Sequence, residues 1–512
     1  MAGDAGGSPR HRERHHHAHA PPPVSFGAAF ALVAAVAAVA VGAFGLTSEV
    51  TLGIDLGTTY SVAATCEKGT VRVVRAEPTP ADASSPIPAS HSRASLVPSV
   101  VHFPRRVPPS PPPGSRPPPL DRDDDALVGE AAARLRDAAP ERTVYDAKRI
   151  IGRAFDDPDV ADETAHLTFA VVPGPGQPPQ ARVAVPSLVP GDPPDLVSPE
   201  DIGARILAHL KRAAEASLPS LRRRLGFAFG SLTVSVPVDF DAAQRAATIR
   251  AANRAGFRVA RLLEEPVAAA IAYGVHEKAL NGSMSSADGD RDGGRIVVVY
   301  DLGGGTLDVA VLRWETSARA FLVMATAGDP RLGGEDFDRA LVGWLRDRLA
   351  TEVTDASDGV TLGDDPASRE TALRAMERAK RTLARRESVR VRVVASREGG
   401  VARRIDVEPF EDEDDSTEGS DTYVSTVTLT RAALEASCAS LLEKSTAPVA
   451  TALRRAGGVT VEEVDDVVMV GGSSRLVAVR ERVREMFGDK VVTRAVDPDT
   501  AIAVGAAKSY AC

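Results

Sequence analysis

The strongest constraint on this 512-residue chain is a local pattern that occurs twice. Leu52-Gly53-Ile54-Asp55-Leu56-Gly57-Thr58-Thr59 matches Val299-Tyr300-Asp301-Leu302-Gly303-Gly304-Gly305-Thr306, about 246 residues later. Each copy reads as an apolar strand, an Asp at its carboxyl end and a Gly/Thr turn. A carboxylate at the end of a buried strand is costly unless something positive sits beside it. Glycines directly after it let backbone N–H groups approach an anion, and threonine hydroxyls add donors. Two such turns facing each other can clamp a polyphosphate. Asp55 and Asp301 can then hold a hydrated Mg²⁺, which keeps its waters and takes few protein ligands. Asp308 lies on the same side of the second turn. One turn of this kind says little. Two, each preceded by an apolar strand, point to two homologous lobes around a shared site.

From residue 50 the chain alternates short apolar runs with amphipathic segments, an α/β pattern. Charged residues are 26% and hydrophobic residues 43%, ordinary for a globular protein. The net charge of −9 argues against a nucleic-acid binder held by overall charge. Aromatics at 4% argue against stacking platforms for bases or sugars. Three cysteines, Cys66, Cys438 and Cys512, exclude a disulfide-rich scaffold and any C-x-x-C metal site. Cys66 reads as a small core residue, and the Ser-Tyr-Ala-Cys ending at Cys512 is not a prenylation box.

Caps place three helices. Ser198-Pro199-Glu200-Asp201 starts one whose Ile202, Ile206, Leu210 and Ala214 share a face. Asp365-Pro366 starts a second, running to about Arg386, and Pro266 opens a short one ending near Gly274. Low-complexity stretches at 104–119, 173–194, 276–294 and 411–421 read as surface loops or insertions without their own core.

The first 23 residues are basic and His-rich, a solvated tail. Residues 24–46 carry no charge and, at about 1.5 Å per residue, reach roughly 35 Å, enough to span a bilayer. Small residues at Val41-Gly42-Ala43 also permit cleavage, so an uncleaved anchor and a cleaved signal peptide both remain open. The basic flank precedes the segment and Glu49 follows it. Positive-inside then places the body in the secretory lumen or outside the cell.

Three further features carry chemistry. Val467 to Val470 lead into Gly471-Gly472-Ser473-Ser474-Arg475, where paired glycines admit a planar group and Arg475 can stack on it. Glu377, Lys380 and Arg381 share a helix face, a pattern usually explained by solvation. Lys148 is a candidate for neutralising a transferring phosphoryl group, although spacing alone reads it as a surface lysine.

Together the motifs resemble the ATPase domain of the seventy-kilodalton heat-shock chaperone family. The match runs from about Val50 to Cys512 and includes GIDLGTTY (53–60), DAKRIIGR (146–153) and VPVDFDAAQR (236–245). It continues through LLEEPVAAAIAYG (262–274), YDLGGGTLDV (300–309) and GDPRLGGEDFD (328–338). It closes with ERAKRTL (377–383), VGGSSR (470–475) and DPDTAIAVGAA (497–507). The resemblance implies an α/β, actin-like ATPase fold. Two ribonuclease-H-like lobes, 50–274 and 295–512, would enclose a cleft for ATP/ADP and Mg²⁺, with K⁺ as a further candidate cation. It implies that Asp55, Thr58, Thr59, Asp301, Gly303, Gly304, Gly305 and Thr306 surround phosphates and metal. Lys148 would contact the γ-phosphate, Glu265 would hold metal-bound water and Asp308 would assist. Gly334 and Glu335 lie in the closing loop. Glu377, Lys380, Arg381, Gly471, Gly472, Ser473, Arg475 and Asp499 would hold the adenosine. Pro237 and Arg245 match switch residues.

Four departures stand out. The usual Asn-Glu-Pro is Glu264-Glu265-Pro266, which adds a carboxylate near the metal. Ala384 replaces a serine and loses an adenosine hydrogen bond, about 1 kcal/mol. Asp239 replaces an aromatic residue beside the switch proline, and the closing loop reads GDPRLGGED rather than GDTHLGGED. Nothing after the last motif resembles an interdomain linker, a peptide-binding sandwich or a lid. The layout resembles the family's signal-bearing microsomal form, an ATPase core alone; a truncated gene model is the competing explanation. The expected function is slow Mg²⁺-dependent ATP hydrolysis in protein folding or quality control in the endoplasmic reticulum lumen or membrane. A non-catalytic nucleotide-gated adaptor is the alternative. By resemblance the partners are J-domain co-chaperones and nucleotide exchange factors, with no nucleic acid, and the chain a monomer.

Overall fold

The two matching segments form the same local topology, one in each half of the protein. The computed structural model describes residues 50–76, 95–104, 125–136, 138–164, 167–224, 227, 229, 231–275, 294–352, 360–396, 401–408, 422–492 and 496–509. Strand β1 (Val50–Asp55) pairs antiparallel with β2 (Tyr60–Glu67), which continues into β3 (Thr70–Val73). On its other edge β1 takes β4 (Ser231–Val236) in parallel, followed by β5 (Val259–Glu264). In the second half, β6 (Arg295–Leu302) pairs antiparallel with β7 (Leu307–Glu315), which pairs with β8 (Ala320–Asp329). On its other edge β6 takes β9 (Asp466–Val470) in parallel. Both central strands therefore end in an Asp–Gly turn between an antiparallel and a parallel neighbour. That repetition bears out the internal duplication, and both halves belong to one compact unit.

The helices sit where their caps predict. Lys148 lies on the short α1 (Ala147–Ile150). α2 (Pro199–Ser217) starts at Ser198, which forms a reciprocal capping box with Asp201. Its Ile202, Ile206, Leu210 and Ala214 are all buried, as their spacing predicts. α3 (Ala242–Arg254) has an equivalent box between Asp241 and Gln244. α4 (Glu265–Ala272) leaves directly from β5 and begins at Glu265, so a carboxylate occupies its positive end. α5 (Gly334–Glu352) packs on α6 (Pro366–Leu383), which Asp365 caps. α7 (Ala501–Lys508) is almost wholly buried.

That last helix joins the two halves. Ala501 and Ile502 pack with Val297, Val299, Val468 and Val470 of the second sheet. Ala503 and Ala507 pack with Val62, Ala64 and Cys66 of β2. α7 also crosses α4 so closely that a Cβ on Gly505 would overlap the Ala268 carbonyl. Burying a side chain such as Ile502 contributes about 1.5–3 kcal/mol, so this seam is a substantial part of what holds the halves together.

Two expectations change. The Pro/Gly-rich stretch 173–194 is not only surface loop: Ala181–Val185 is a fully buried strand between Ala170–Pro173 and Asp195–Val197. Cys66 is buried as expected, but it is disulfide-bonded, while Cys438 is a free buried thiol. The stretches 276–293 and 411–421, most of 104–119, and the tail and apolar segment at 1–46 lie outside the described residues. Among the described residues no helix is long and apolar enough to cross a membrane.

Candidate active site

The strand ends bring four carboxylates around one lysine. Register puts Asp301 opposite Asp308 on one side and Val470 on the other. Lys148 Nζ meets Glu265 Oε1 at 2.6 Å, with the two side chains only 12% and 13% exposed. The surface reading of Lys148 is therefore wrong: α1 turns it inward, under the strand ends. Burial pulls its ammonium down, but Glu265, Asp55 and Asp301 together outweigh that and hold it above its ordinary value. Burial, reinforced by Glu265, pushes the Asp55 carboxyl up to about 6 against the pull of Lys148 and the hydroxyl that Ser235 donates at 2.7 Å. Burial and Glu265 likewise push Asp308 up to about 6. Asp301 is raised well above the carboxylate range by burial and by Glu265, Asp308 and Asp55.

One lysine does not balance four acids, so the cluster suits a further cation. Among the described residues no three or more His, Cys, Asp or Glu side chains converge closely enough to ligate a metal directly. Hard oxygen donors set slightly apart fit Mg²⁺, which keeps several waters and relies on substrate phosphates. Without that cation the raised values have a stability consequence. The folded chain holds these protons more tightly than the unfolded chain, which favours folding below the ordinary carboxylate pKa. That contribution is lost as pH rises through about 6. The melting temperature of the nucleotide-free protein is expected to fall by several degrees between pH 5 and 7.5, read by differential scanning fluorimetry. A rise over that range would contradict the electrostatic account.

The two glycine turns face each other. A Cβ on Gly304 would overlap the Thr59 hydroxyl, and one on Gly305 would overlap the Arg149 guanidinium. Thr59 Oγ1 donates to Glu335 Oε1 at 3.4 Å. Backbone N–H groups of Gly334 and Glu335 donate to the carbonyls of Gly303 and Gly304 at 3.0 and 2.8 Å. Gly334 and Glu335, expected in a loop, instead form the first turn of α5, which is stitched to the second glycine turn, and Thr59 of the first glycine turn touches both. Asp146, beside them, is pushed up to about 7 by burial and Glu335.

On the other side, Lys380 Nζ donates to the Gly334 carbonyl at 2.6 Å and to Asp338 Oδ2 at 2.8 Å, both side chains about 8% exposed. It is not the solvated charge that its spacing suggests. Lys380→Met would leave Asp338 buried and unpaired, at a cost of about 3 kcal/mol. Urea denaturation is expected to show that loss and its recovery in Lys380→Met/Asp338→Asn; no recovery would contradict the pairing. Glu377 accepts from Tyr60 at 3.2 Å and from Arg381 at 3.3 Å. Burial opposes its charge, yet Arg381 and Lys380 hold its carboxyl below the ordinary value. Arg475 pairs with Asp497 and with Asp499 at 2.9 Å, and a Cβ on Gly472 would come within 2.6 Å of Asp499. Ser473 lies against Gly334, and Gly471, at φ 80°, lies against Asp301. Lys380 and Ser473 thus both meet Gly334, Gly472 and Arg475 both meet Asp499, Glu377 pairs with Arg381, and Gly471 lies beside Asp301.

A family model for Hsp70 protein matches residues 121–511. The chain belongs to the Hsp70 family. It is 35% identical over 457 residues to the heat shock 70 kDa protein BIP3 of Oryza sativa subsp. japonica, covering 89% of this chain and 55% of the rice protein. It is 34% identical over 457 residues to the chaperone protein DnaK of Thermus thermophilus, covering 89% of this chain and 60% of that protein. The chain thus spans between half and two thirds of the length of these relatives. Membership gives the fold, the actin-like ATPase architecture, and in general the family's use of nucleotide and Mg²⁺.

Several contacts of this Hsp70 chain are not visible in its motifs. Glu264 does not join the acid cluster: Arg245 engages it at 3.1 Å, while also donating to the Val238 and Phe240 carbonyls that follow Pro237. Asp239, another of the four departures, accepts from Thr326 Oγ1 at 3.2 Å and so links the first half to the second. Ser235, Tyr60 and Asp338 were missed as site residues. Tyr60 and Asp338 stand inside the quoted motifs, and only their three-dimensional partners reveal their roles.

Proposed function

We propose that this chain hydrolyses ATP to ADP and phosphate in the cleft between the two glycine turns. The observation that carries the reading is the buried Lys148–Glu265 pair beside Asp55, Asp301 and Asp308. The turns around Thr58–Thr59 and Gly303–Thr306 offer backbone and hydroxyl donors to the phosphates. Asp55 and Asp301 would hold Mg²⁺, with Glu265 reaching it through water; the cation supplies charge neutralisation on the phosphates. Lys148 is placed to stabilise negative charge that spreads over the γ-phosphoryl oxygens. Glu265 keeps the lysine oriented, and Asp308 accepts a hydrogen bond from the attacking water. Glu377, Lys380, Arg381, Gly472, Ser473, Arg475 and Asp499 hold the adenosine, with Arg475 fixed by two carboxylates rather than free to stack.

The biological setting is an ATP-driven cycle of opening and closing in protein folding or quality control. J-domain co-chaperones and nucleotide exchange factors are the proposed partners. Its place is the secretory lumen: the basic tail and apolar segment 24–46 favour it, as does a disulfide at Cys66. The adaptor reading, nucleotide-gated without turnover, is favoured by Asp239 and Glu264 at the switch. Single-turnover hydrolysis by the full chain distinguishes the two. The proposal expects Mg²⁺-dependent phosphate release that EDTA stops. Tight ATP binding without release would leave the adaptor.

A further inference from the structure

The first sheet has an edge that the nucleotide site does not use. β1, β4 and β5 run parallel. β1 ends in Asp55 and β5 leads into Glu265, so the cleft lies at their carboxyl ends. Their amino ends, Val50, Ser231 and Val259, lie at the opposite edge. The turn between β2 and β3 comes to that edge too, because Val50 pairs with Glu67. There Arg222, in the short helix Ser220–Arg224, meets Glu67 Oε1 at 2.8 Å and ties the helix to the sheet. Lys68, Arg223, Arg224 and Arg258 are exposed on either side of this tie. Lys211, near the end of α2, joins them by donating to the Gly256 carbonyl at 2.7 Å. Glu67 is taken up by Arg222, and Glu215 accepts from the Phe229 N–H at 3.2 Å. A basic edge therefore stands out on a chain whose net charge is −9.

Apolar side chains are set among these charges. Leu221, Phe227 and Val259 are 44%, 44% and 46% exposed. Phe227 is held in place by its N–H, which donates to the Arg222 carbonyl at 3.1 Å. Basic residues around exposed apolar tips suit a lipid surface: the charges meet anionic headgroups and the tips enter the interfacial layer. The chain also enters the sheet here, since Val50 opens β1 and the uncharged stretch 24–46 precedes it in sequence. We propose that this edge docks on a bilayer carrying anionic lipid and leaves the cleft, at the far ends of the strands, open. The docking residues all belong to the folded body, so the proposal holds whether or not 24–46 stays attached.

The test is hydrogen exchange of the full chain mixed with phosphatidylcholine vesicles, and with vesicles in which about a third of the lipid is phosphatidylserine. Exchange in residues 218–224 and 257–260 is expected to slow about fivefold with the anionic vesicles alone, while residues 366–383 of α6 stay unchanged. The slowing should vanish at roughly 0.5 M salt, where exposed charges are screened. Lys68→Glu/Arg223→Glu/Arg224→Glu should abolish it, since each basic residue at an anionic surface contributes about fivefold to binding. The salt comparison needs no substitution, so a variant that fails to fold leaves the test intact. Equal exchange with both vesicle types, or slowing that survives high salt, would overturn the proposal. So would slowing by polyglutamate but not by vesicles, which would make the edge a site for an acidic protein. These readouts need no nucleotide, so their failure is separate from any failure of the ATPase reading.

Discussion

Replacing Lys148 with methionine is expected to lower single-turnover ATP hydrolysis about 10³-fold while changing MgATP affinity less than tenfold. In the proposed reaction the lysine acts on charge that develops during transfer, so its loss would fall on the chemical step rather than on binding. The same substitution has a second signature. Glu265 would lose its 2.6 Å partner, and Asp55 and Asp301 would lose the cation that opposes their repulsion. Removing one member of a buried pair costs about 3–5 kcal/mol. That loss should be greatest at pH 7.5 and smaller near pH 5.5, where Asp55 and Asp308 take up protons. Quenched-flow and urea denaturation at the two pH values read both effects. Turnover within tenfold of wild type, or a stability loss independent of pH, would contradict the role assigned to Lys148.

Gly505→Val is expected to weaken folding and nucleotide-dependent stabilisation together. A Cβ at Gly505 would overlap backbone atoms of Ala268 on α4, and backbone cannot swing aside as a side chain can. The helices must separate, and α7 would then lose contact with one sheet or the other. Overpacking in a tight core costs about 1–3 kcal/mol and more where backbone must move. α4 carries Glu265, so nucleotide-dependent stabilisation should fall as well. Urea denaturation with and without MgADP measures both. A stability within about 1 kcal/mol of wild type would show that the seam is loose and the account of α7 wrong.

The parts of this protein legible in its sequence are those fixed locally. Ser198 and Asp365 announce their helices because a cap needs only the next three residues. The duplicated Asp–Gly turns announce the two sheets because each is a strand end with its own turn chemistry. Lys148 and Lys380 look like surface lysines in sequence because their partners, Glu265 and Asp338, lie 117 and 42 residues away. The buried strand Ala181–Val185 is hidden by the Pro- and Gly-rich residues on either side. The composition around Glu264 suggests a crowded metal site, but Arg245, brought beside it by the packing of α3 on β5, neutralises it instead. α7 reads as a short Ala-rich helix. Its importance comes from what it touches, since small residues permit close approach on three sides.

A crystal structure of the full chain with MgADP tests the central claim most directly. The account predicts the diphosphate between Thr58–Thr59 and Gly303–Thr306, with Mg²⁺ beside Asp55 and Asp301. It predicts the adenosine against Lys380, Arg381, Gly472 and Ser473. Nucleotide bound elsewhere, or a cleft with the Lys148–Glu265 pair turned away from the phosphates, would contradict it.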